Sequence, residues 1–547
     1  MSWEEIARAK RASRDQAIPP EWRLPPGQVP DDQVNVIDVP AKCGILTTRE
    51  LEITETDAVV LVQKLRSREY SSHEVTLAFC KRTAIAQQLV NCLSEIFFEK
   101  ALEAARCLDA EYAATSVPRG PLHGLPVSLK DCFPIEGTDA TIGYTAFAND
   151  PTGEGEEAEI TRIMRESGAI LFCKTNVPTA LMSGETYNAI YGYTSNPYNR
   201  ALSSGGSSGG EGALLALRGS PLGVGTDVGG SVRIPGSFCG LYTLKPSYGR
   251  FPTSGLRDGM EGQETVRNVV GPMAKSLAAV EMWMGVVLKS QPWMSADPDC
   301  LPIPYREVDV PKKLCFGLLL DDGIVKPLPP VTRGLLQTKA ALEAAGHTVI
   351  EFHIDDPLYT DSQKYALYRS AAAYVINSTL TSTKEPWPRG MEMLEAMANS
   401  DSQSSATVSD LWKAQVKRTK YAKRILQAWA ATKTRTGTGR EIDALVMPCT
   451  PWPACVKYGL TYDNYTSLWN VLDYCATTVP VTHVSSSNDI KPEYKGRNGT
   501  EIGIWKNYTP ERLAGAPVAV QLVGRRLKEE YLLGVTRVCD DALKAAR

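Results

Sequence analysis

Between Gly205 and Gly240 the chain reads GGSSGGEGALLALRGSPLGVGTDVGGSVRIPGSFCG, with twelve glycines in thirty-six residues. Glycine at that density lets backbone N–H groups crowd around one point, because no Cβ blocks approach and positive φ is open. A fold that includes this stretch must keep it close to other backbone. Three readings compete. A Gly/Ser linker is one, but EGALLALRG follows at once, with Glu211 in the first turn of an apolar helix where a negative charge suits the dipole. A phosphate cradle is the second, yet no GKS or GKT follows and no acidic residue is placed for a ribose. The third is an oxyanion hole, in which the N–H groups of Val228, Gly229, Gly230 and Ser231 converge on one oxygen. Donors fixed where negative charge develops are worth about 3–4 kcal/mol each. Ser231 then stands next to the carbonyl it would attack.

A serine nucleophile needs a base. The five histidines, His73, His123, His347, His353 and His483, sit in no nucleophile-elbow pattern and read as structural or surface groups. Lys130, in VSLKD, falls at the C-terminal end of a strand, where α/β folds place reactive groups. A lysine is a base only when neutral, and burial favours that form. Its neighbours Val127 and Leu129 suit an apolar pocket; a surface lysine at a strand end is the plainer alternative.

Composition sets the surroundings. The chain has 547 residues, 43% of them hydrophobic and 22% charged, with a net charge of -3. That is a globular balance, without a basic field for nucleic acid or an anionic membrane. Thirteen cysteines lack paired CxxC spacing, so reduced thiols are expected rather than a disulfide frame or zinc site. The N-terminus has no apolar signal core and no run nears the roughly 18 residues of a spanning helix, which points to the cytoplasm.

Residues 1–40 read as an arm: a charged helix over about 3–16, then a proline-rich stretch that Trp22, Leu24 and Val36 can pin to the body. Ser71 to Glu74 reads as a capping box opening a helix, and a second helix starts near Phe97. Strands are expected at 125–131, around ILFCKTN, at 315–320, after Gly346, at 444–448, 479–484 and 517–524, alternating with helices. Residues 360–440 read as helical and polar, with Trp412 and Trp429 in the core. Helix, glycine cap and strand in series make one large α/β body, with two lobes as the alternative.

The glycine segment resembles the signature of the amidase signature family, and VSLKD resembles that family's lysine motif. Likeness runs over nearly the whole chain. SWEEIARAKR, GPLHGLPVSLKD, MEGQETVRNVVGPM and GAPVAVQLVGRRL are especially similar to fungal acetamidases. The resemblance implies a single domain over 1–547, built on a large twisted mixed β-sheet with helices on both faces. Its catalytic core would span 120–260, and 360–440 would be a substrate-side elaboration. It implies a catalytic set of Ser231 as acyl acceptor, Ser207 after a cis Gly206–Ser207 peptide as proton relay, and neutral Lys130 as base. The Val228, Gly229, Gly230 and Ser231 amides would hold the oxyanion, and KTNVPTALMSGE would put Leu181 beside the substrate. Asp227 and Arg233 would brace the loop as a charge pair. No cofactor or metal is implied.

The expected activity is hydrolysis of a carboxylic amide through an acyl-enzyme, on small aliphatic amides such as acetamide. Aryl or indole amides, or a specialised metabolite, are the alternative substrates. An ammonia-releasing amidotransferase subunit, a non-catalytic relative and a membrane-bound fatty-amide hydrolase are further alternatives. The expected partner is a small amide, with neither nucleic acid nor membrane; the sequence leaves homodimerisation open.

Overall fold

The computed structural model describes residues 1–355, 367, 372–399 and 407–547. Among them, eleven strands form one sheet. In chain order these are β1 (Leu93–Ile96), β2 (Pro126–Lys130), β3 (Ile170–Thr175), β4 (Leu222–Asp227), β5 (Tyr242–Lys245), β6 (Val269–Ala274), β7 (Cys315–Leu318), β8 (Thr348–Glu351), β9 (Ala444–Met447), β10 (Cys475–His483) and β11 (Pro517–Gly524). Their spatial order is β1-β3-β2-β4-β6-β5-β10-β11-β9-β7-β8. The sheet is mixed: β2 runs parallel to both β3 and β4, whereas β4, β6, β5, β10, β11 and β9 pair antiparallel in turn. Every strand expected from the sequence is present.

Helices flank the sheet: α1 (Trp3–Gln16), α2 (Ser72–Val90), α3 (Phe98–Thr115), α4 (Glu159–Glu166), α5 (Gly209–Ala216), α6 (Arg233–Phe238), α7 (Pro329–Ala344), α8 (Val408–Ala431), α9 (Asn464–Val471) and α10 (Glu529–Ala545). Helix α2 starts where the serines predict, with Ser71 Oγ accepting the Glu74 N–H at 3.0 Å. The reciprocal half of that box does not form, because the Glu74 carboxylate accepts from Arg49 Nε at 2.9 Å instead. Helix α1 lies on the body. Ala7 and Arg14 are buried, and Arg14 donates to the Leu93 carbonyl at 3.0 Å. Beyond it, Trp22 stands 5.9 Å from the Phe98 ring and Val36 is buried.

Strand alternation decides what faces the site. On β2, Val127 and Leu129 join Leu222 and Val224 of β4 in one hydrophobic core. With a period of two, Ser128 and Lys130 then point to the opposite face. That corrects the expectation that Val127 and Leu129 wall the lysine. On the lysine's face the sheet is cut back to glycine so that the α5 segment can approach. A Cβ on Gly223 would meet Glu211 Oε2 at 2.2 Å, and one on Gly225 would meet Ser208 Oγ at 2.6 Å.

Helix α8 corrects a second expectation. Its buried residues are Ala414, Tyr421, Ile425 and Trp429. At 100° per residue, Trp412 lies about 200° from Ala414, and it is 65% exposed rather than in the core. Trp429 is buried as expected. Of the helical expectation for 360–440, the stretches 360–366, 368–371 and 400–406 lie outside the described residues.

Candidate active site

Lys130 ends β2 fully buried. Its Nζ donates to Ser207 Oγ and to Thr226 Oγ1, both at 2.7 Å. Thr226 lies on β4, which pairs in parallel with β2. Burial pushes the amine below its usual value, against the opposing pull of Cys132, Asp227, Asp258 and Glu211. Ser207 follows a cis peptide from Gly206 and precedes α5.

Ser231 sits just before α6 and is 7% exposed. Its carbonyl accepts the Ser208 N–H at 3.1 Å, which ties the Ser231 loop to the segment carrying Ser207. The Ser207 and Ser231 hydroxyls are not hydrogen-bonded to each other. Three residues hold the loop from 228 to 231. Asp227 lies beneath it, Thr466 Oγ1 donates to the Gly229 carbonyl at 2.8 Å, and Asn470 Nδ2 donates to Asp227 Oδ1 at 2.9 Å. Both Thr466 and Asn470 belong to α9.

The four loop amides do not all converge. Gly230 N–H is directed at Asp227 Oδ1, at 2.8 Å. Gly230 takes φ +130°, and a Cβ there would stand 2.3 Å from Thr466 Oγ1, so only glycine fits. Among the described residues, the Gly229 and Ser231 N–H groups have no protein acceptor. The expectation for Gly230 is therefore corrected: a carboxylate two bonds from the chain outcompetes any convergence set by glycine alone.

Asp227 is saturated from one side. Besides Gly230, it accepts the Val232 N–H at 3.2 Å, and Arg233 Nη2 reaches it at 3.0 Å, with both side chains fully buried. The Arg233 guanidinium also donates to the Thr466 carbonyl, Gln521 Oε1 and Asn470 Oδ1. Despite burial, this charge holds the Asp227 carboxyl well below the usual carboxylate range. Removing one member leaves the other buried and unpaired, which costs about 3–5 kcal/mol. Asp227→Ala is expected to lose that much stability in urea unfolding; a loss below about 1 kcal/mol would remove the bracing role.

Glu211 behaves differently from a helix-dipole carboxylate. It is in the first turn of α5 but turned onto the sheet, fully buried, where Ser128 Oγ donates to it at 2.7 Å and Thr175 Oγ1 at 3.1 Å. Burial pushes its carboxyl up to about 8 from 4.5. Across that interval the folded chain binds more protons than the unfolded one, so this group lowers stability as pH rises. Glu211→Gln removes the titration. The wild-type chain is expected to lose more stability than the variant between pH 5 and pH 8, read as the difference of urea unfolding free energies. Parallel pH profiles would refute it.

Ser207 and Thr226 open on a small cavity, about 370 Å³ including its mouth, lined also by Leu181, Met182, Val228 and Met260. Asp258, Gln263 and Asn268 supply its polar wall. Leu181 thus lies beside Ser207, at φ +60°. None of the five histidines lines the cavity. Ser231 and Lys130 do not themselves line this cavity, and a larger cleft near Trp429 and Arg440 is lined by neither of them nor by Ser207. Sequence reading missed Thr226, Asp258 and Asn268. Thr226 has no mark in the sequence beyond its place in the glycine segment, and loop residues 258 and 268 follow no periodicity that would mark them.

A family model described as Amidase matches residues 74–533. The chain is 38% identical to an acetamidase of Aspergillus oryzae, over 98% of this chain and 97% of that protein. It is 40% identical to an acetamidase of Emericella nidulans, again over 98% and 97%. Among solved structures, a fatty acid amide hydrolase superposes with a TM-score of 0.91 at 30% identity, covering 98% of this chain and 95% of that one. Among the described residues, no helix is long and apolar enough to cross a membrane. A glycine-built loop, a buried lysine on a serine and a match over most of the length converge, and the chain belongs to the amidase family, whose members hydrolyse amide C–N bonds.

Proposed function

We infer that this protein hydrolyses small aliphatic amides such as acetamide, with Ser231 as nucleophile, Ser207 as proton relay and Lys130 as base. The observation that carries the reading is the fully buried Lys130 amine, 2.7 Å from a serine hydroxyl at the cavity. A neutral amine there accepts the Ser207 O–H on its lone pair while its own N–H still donates to Thr226. Ser207 can then take the Ser231 proton as Ser231 Oγ bonds to the amide carbon. The closeness of their segments, through Ser208 N–H on the Ser231 carbonyl, supports that transfer.

Negative charge on the substrate oxygen is met by the Gly229 and Ser231 N–H groups, whose lack of protein acceptors supports this assignment; Val228, at the cavity wall, completes the loop. The carbon–nitrogen bond breaks as Ser207 hands a proton to nitrogen, resupplied from Lys130. Ammonia or an amine leaves and Ser231 holds the acyl group as an ester. Water attacks that ester through the same relay, releases the carboxylate and restores the serine.

The choice of small aliphatic substrates rests on the narrow lining by Leu181, Met182 and Met260 and on the likeness to acetamidases. The test is ammonia release by the purified chain from formamide, acetamide, benzamide, indoleacetamide and a long-chain amide. The highest kcat/KM is expected for acetamide; a preference of tenfold or more for the aryl, indole or long-chain amide would overturn the substrate assignment.

A further inference from the structure

The polar wall of the cavity contains two acceptor groups that hydrolysis itself does not use. Asp258 and Asn268 lie in the segment between β5 and β6 and meet across it, Asn268 Nδ2 donating to Asp258 Oδ2 at 3.4 Å. The other Asp258 oxygen accepts the Met260 N–H at 3.0 Å. No lysine or arginine among the described residues pairs with Asp258. The two nearest in sequence are engaged elsewhere: Arg257 reaches Asp150 at 3.2 Å, and Arg267 reaches Glu264 and Asp299 at 2.8 Å each.

Asn268 Oδ1 is buried and accepts no hydrogen bond. Gln263, the third polar group, is a contrast. Its Oε1 accepts the Thr265 and Val266 N–H groups and its Nε2 donates to the Val266 carbonyl, so its side chain is used up in shaping the loop. Asp258 and Asn268 are not used up. A carboxylate that forms no ion pair and a buried amide oxygen without a donor share one cavity whose remaining walls are largely apolar. Polar groups in such a place are costly unless something donates to them.

We propose that Asp258 and Asn268 determine substrate specificity by accepting hydrogen bonds from an ammonium or other N–H-bearing group of the substrate. The proposal rests on the amidase reading of the same cavity. The pair supplies two acceptor oxygens and a net negative charge, a combination that favours cationic donors and disfavours substrate carboxylates. It does so a short way from Ser207, so the recognised group lies near the scissile bond. That group can belong to the acyl side or to the amine side, and the two are separable with substrates matched in size.

The experiment measures kcat/KM of the full chain on two pairs. β-Alaninamide against butyramide tests the acyl side, and N-(2-aminoethyl)acetamide against N-propylacetamide tests the amine side. In one pair the ammonium-bearing member is expected to win by at least about tenfold, in line with a hydrogen bond to a charged group. Asp258→Asn is expected to cut that ratio about tenfold, and Asn268→Leu to cut it less. A second reading needs no variant: n-butylammonium should inhibit wild-type acetamide hydrolysis at least about tenfold more tightly than 1-butanol. No ammonium preference in either pair, a ratio unmoved by Asp258→Asn, or equal inhibition by the two butyl compounds would each overturn the proposal. Acetamide turnover is the separate check. Its absence removes the amidase reading, whereas turnover without any ammonium preference removes only this inference.

Discussion

Ser231→Ala is expected to lower kcat for acetamide by about 10⁴-fold or more, the scale on which a nucleophile's loss collapses a concerted set. The variant is expected to keep its fold, because the loop is not held by the Ser231 hydroxyl. Its carbonyl is tied to Ser208, Asp227 collects the Gly230 and Val232 N–H groups, and Thr466 fixes Gly229. Residual hydrolysis should come from the loop amides alone. A fluorophosphonate should label wild-type Ser231 and leave the alanine variant unlabelled by mass spectrometry. A label on Ser207, or a variant within tenfold of wild type, would sink the nucleophile assignment. Ser207→Ala makes a useful contrast. It removes the hydroxyl 2.7 Å from Lys130 but leaves Ser231 in place. A slow, pH-dependent reaction with the fluorophosphonate should therefore persist in it.

The parts of this site that are legible in the sequence are those set by local backbone physics. Glycine density marks Gly205 to Gly240 as a place of close backbone approach, and the structure puts Gly223 and Gly225 against the α5 segment. Apolar runs of four to eight residues bounded by turns mark the strands, and all of them form. What escapes is anything that depends on which distant group arrives. Lys130 takes its hydrogen-bond partners from distant segments, Ser207 and Thr226, 77 and 96 residues away. The glycines near 230 predict exposed amides, yet which acceptor each amide takes is decided by Asp227. Trp412 looks like core in composition, and only the register of α8 relative to Ala414 and Tyr421 sends it outward. Asp258 and Asn268 come together across a loop that has no period to read.

The second large effect concerns Lys130. Lys130→Ala is expected to reduce kcat/KM by about 10²–10⁴-fold, the usual contribution of a positioned proton acceptor. Its pH dependence distinguishes a base from a packing residue. Burial lowers the amine from its ordinary 10.5, so on raising the pH the wild-type amine loses its proton earlier than an exposed lysine does. The neutral form is the competent one, and kcat/KM therefore rises with pH along a single limb whose midpoint lies below 10.5. In the alanine variant that limb has no lysine to report. Hydroxide substitutes weakly for the base, and the residual rate should climb with pH without levelling at the wild-type midpoint. Lys130→Arg keeps its proton, so it should be as inactive as alanine, and its unpaired buried charge should cost stability as well. A flat wild-type profile from pH 5 to 9, or an active arginine variant, would mean that the amine at residue 130 is not the proton acceptor.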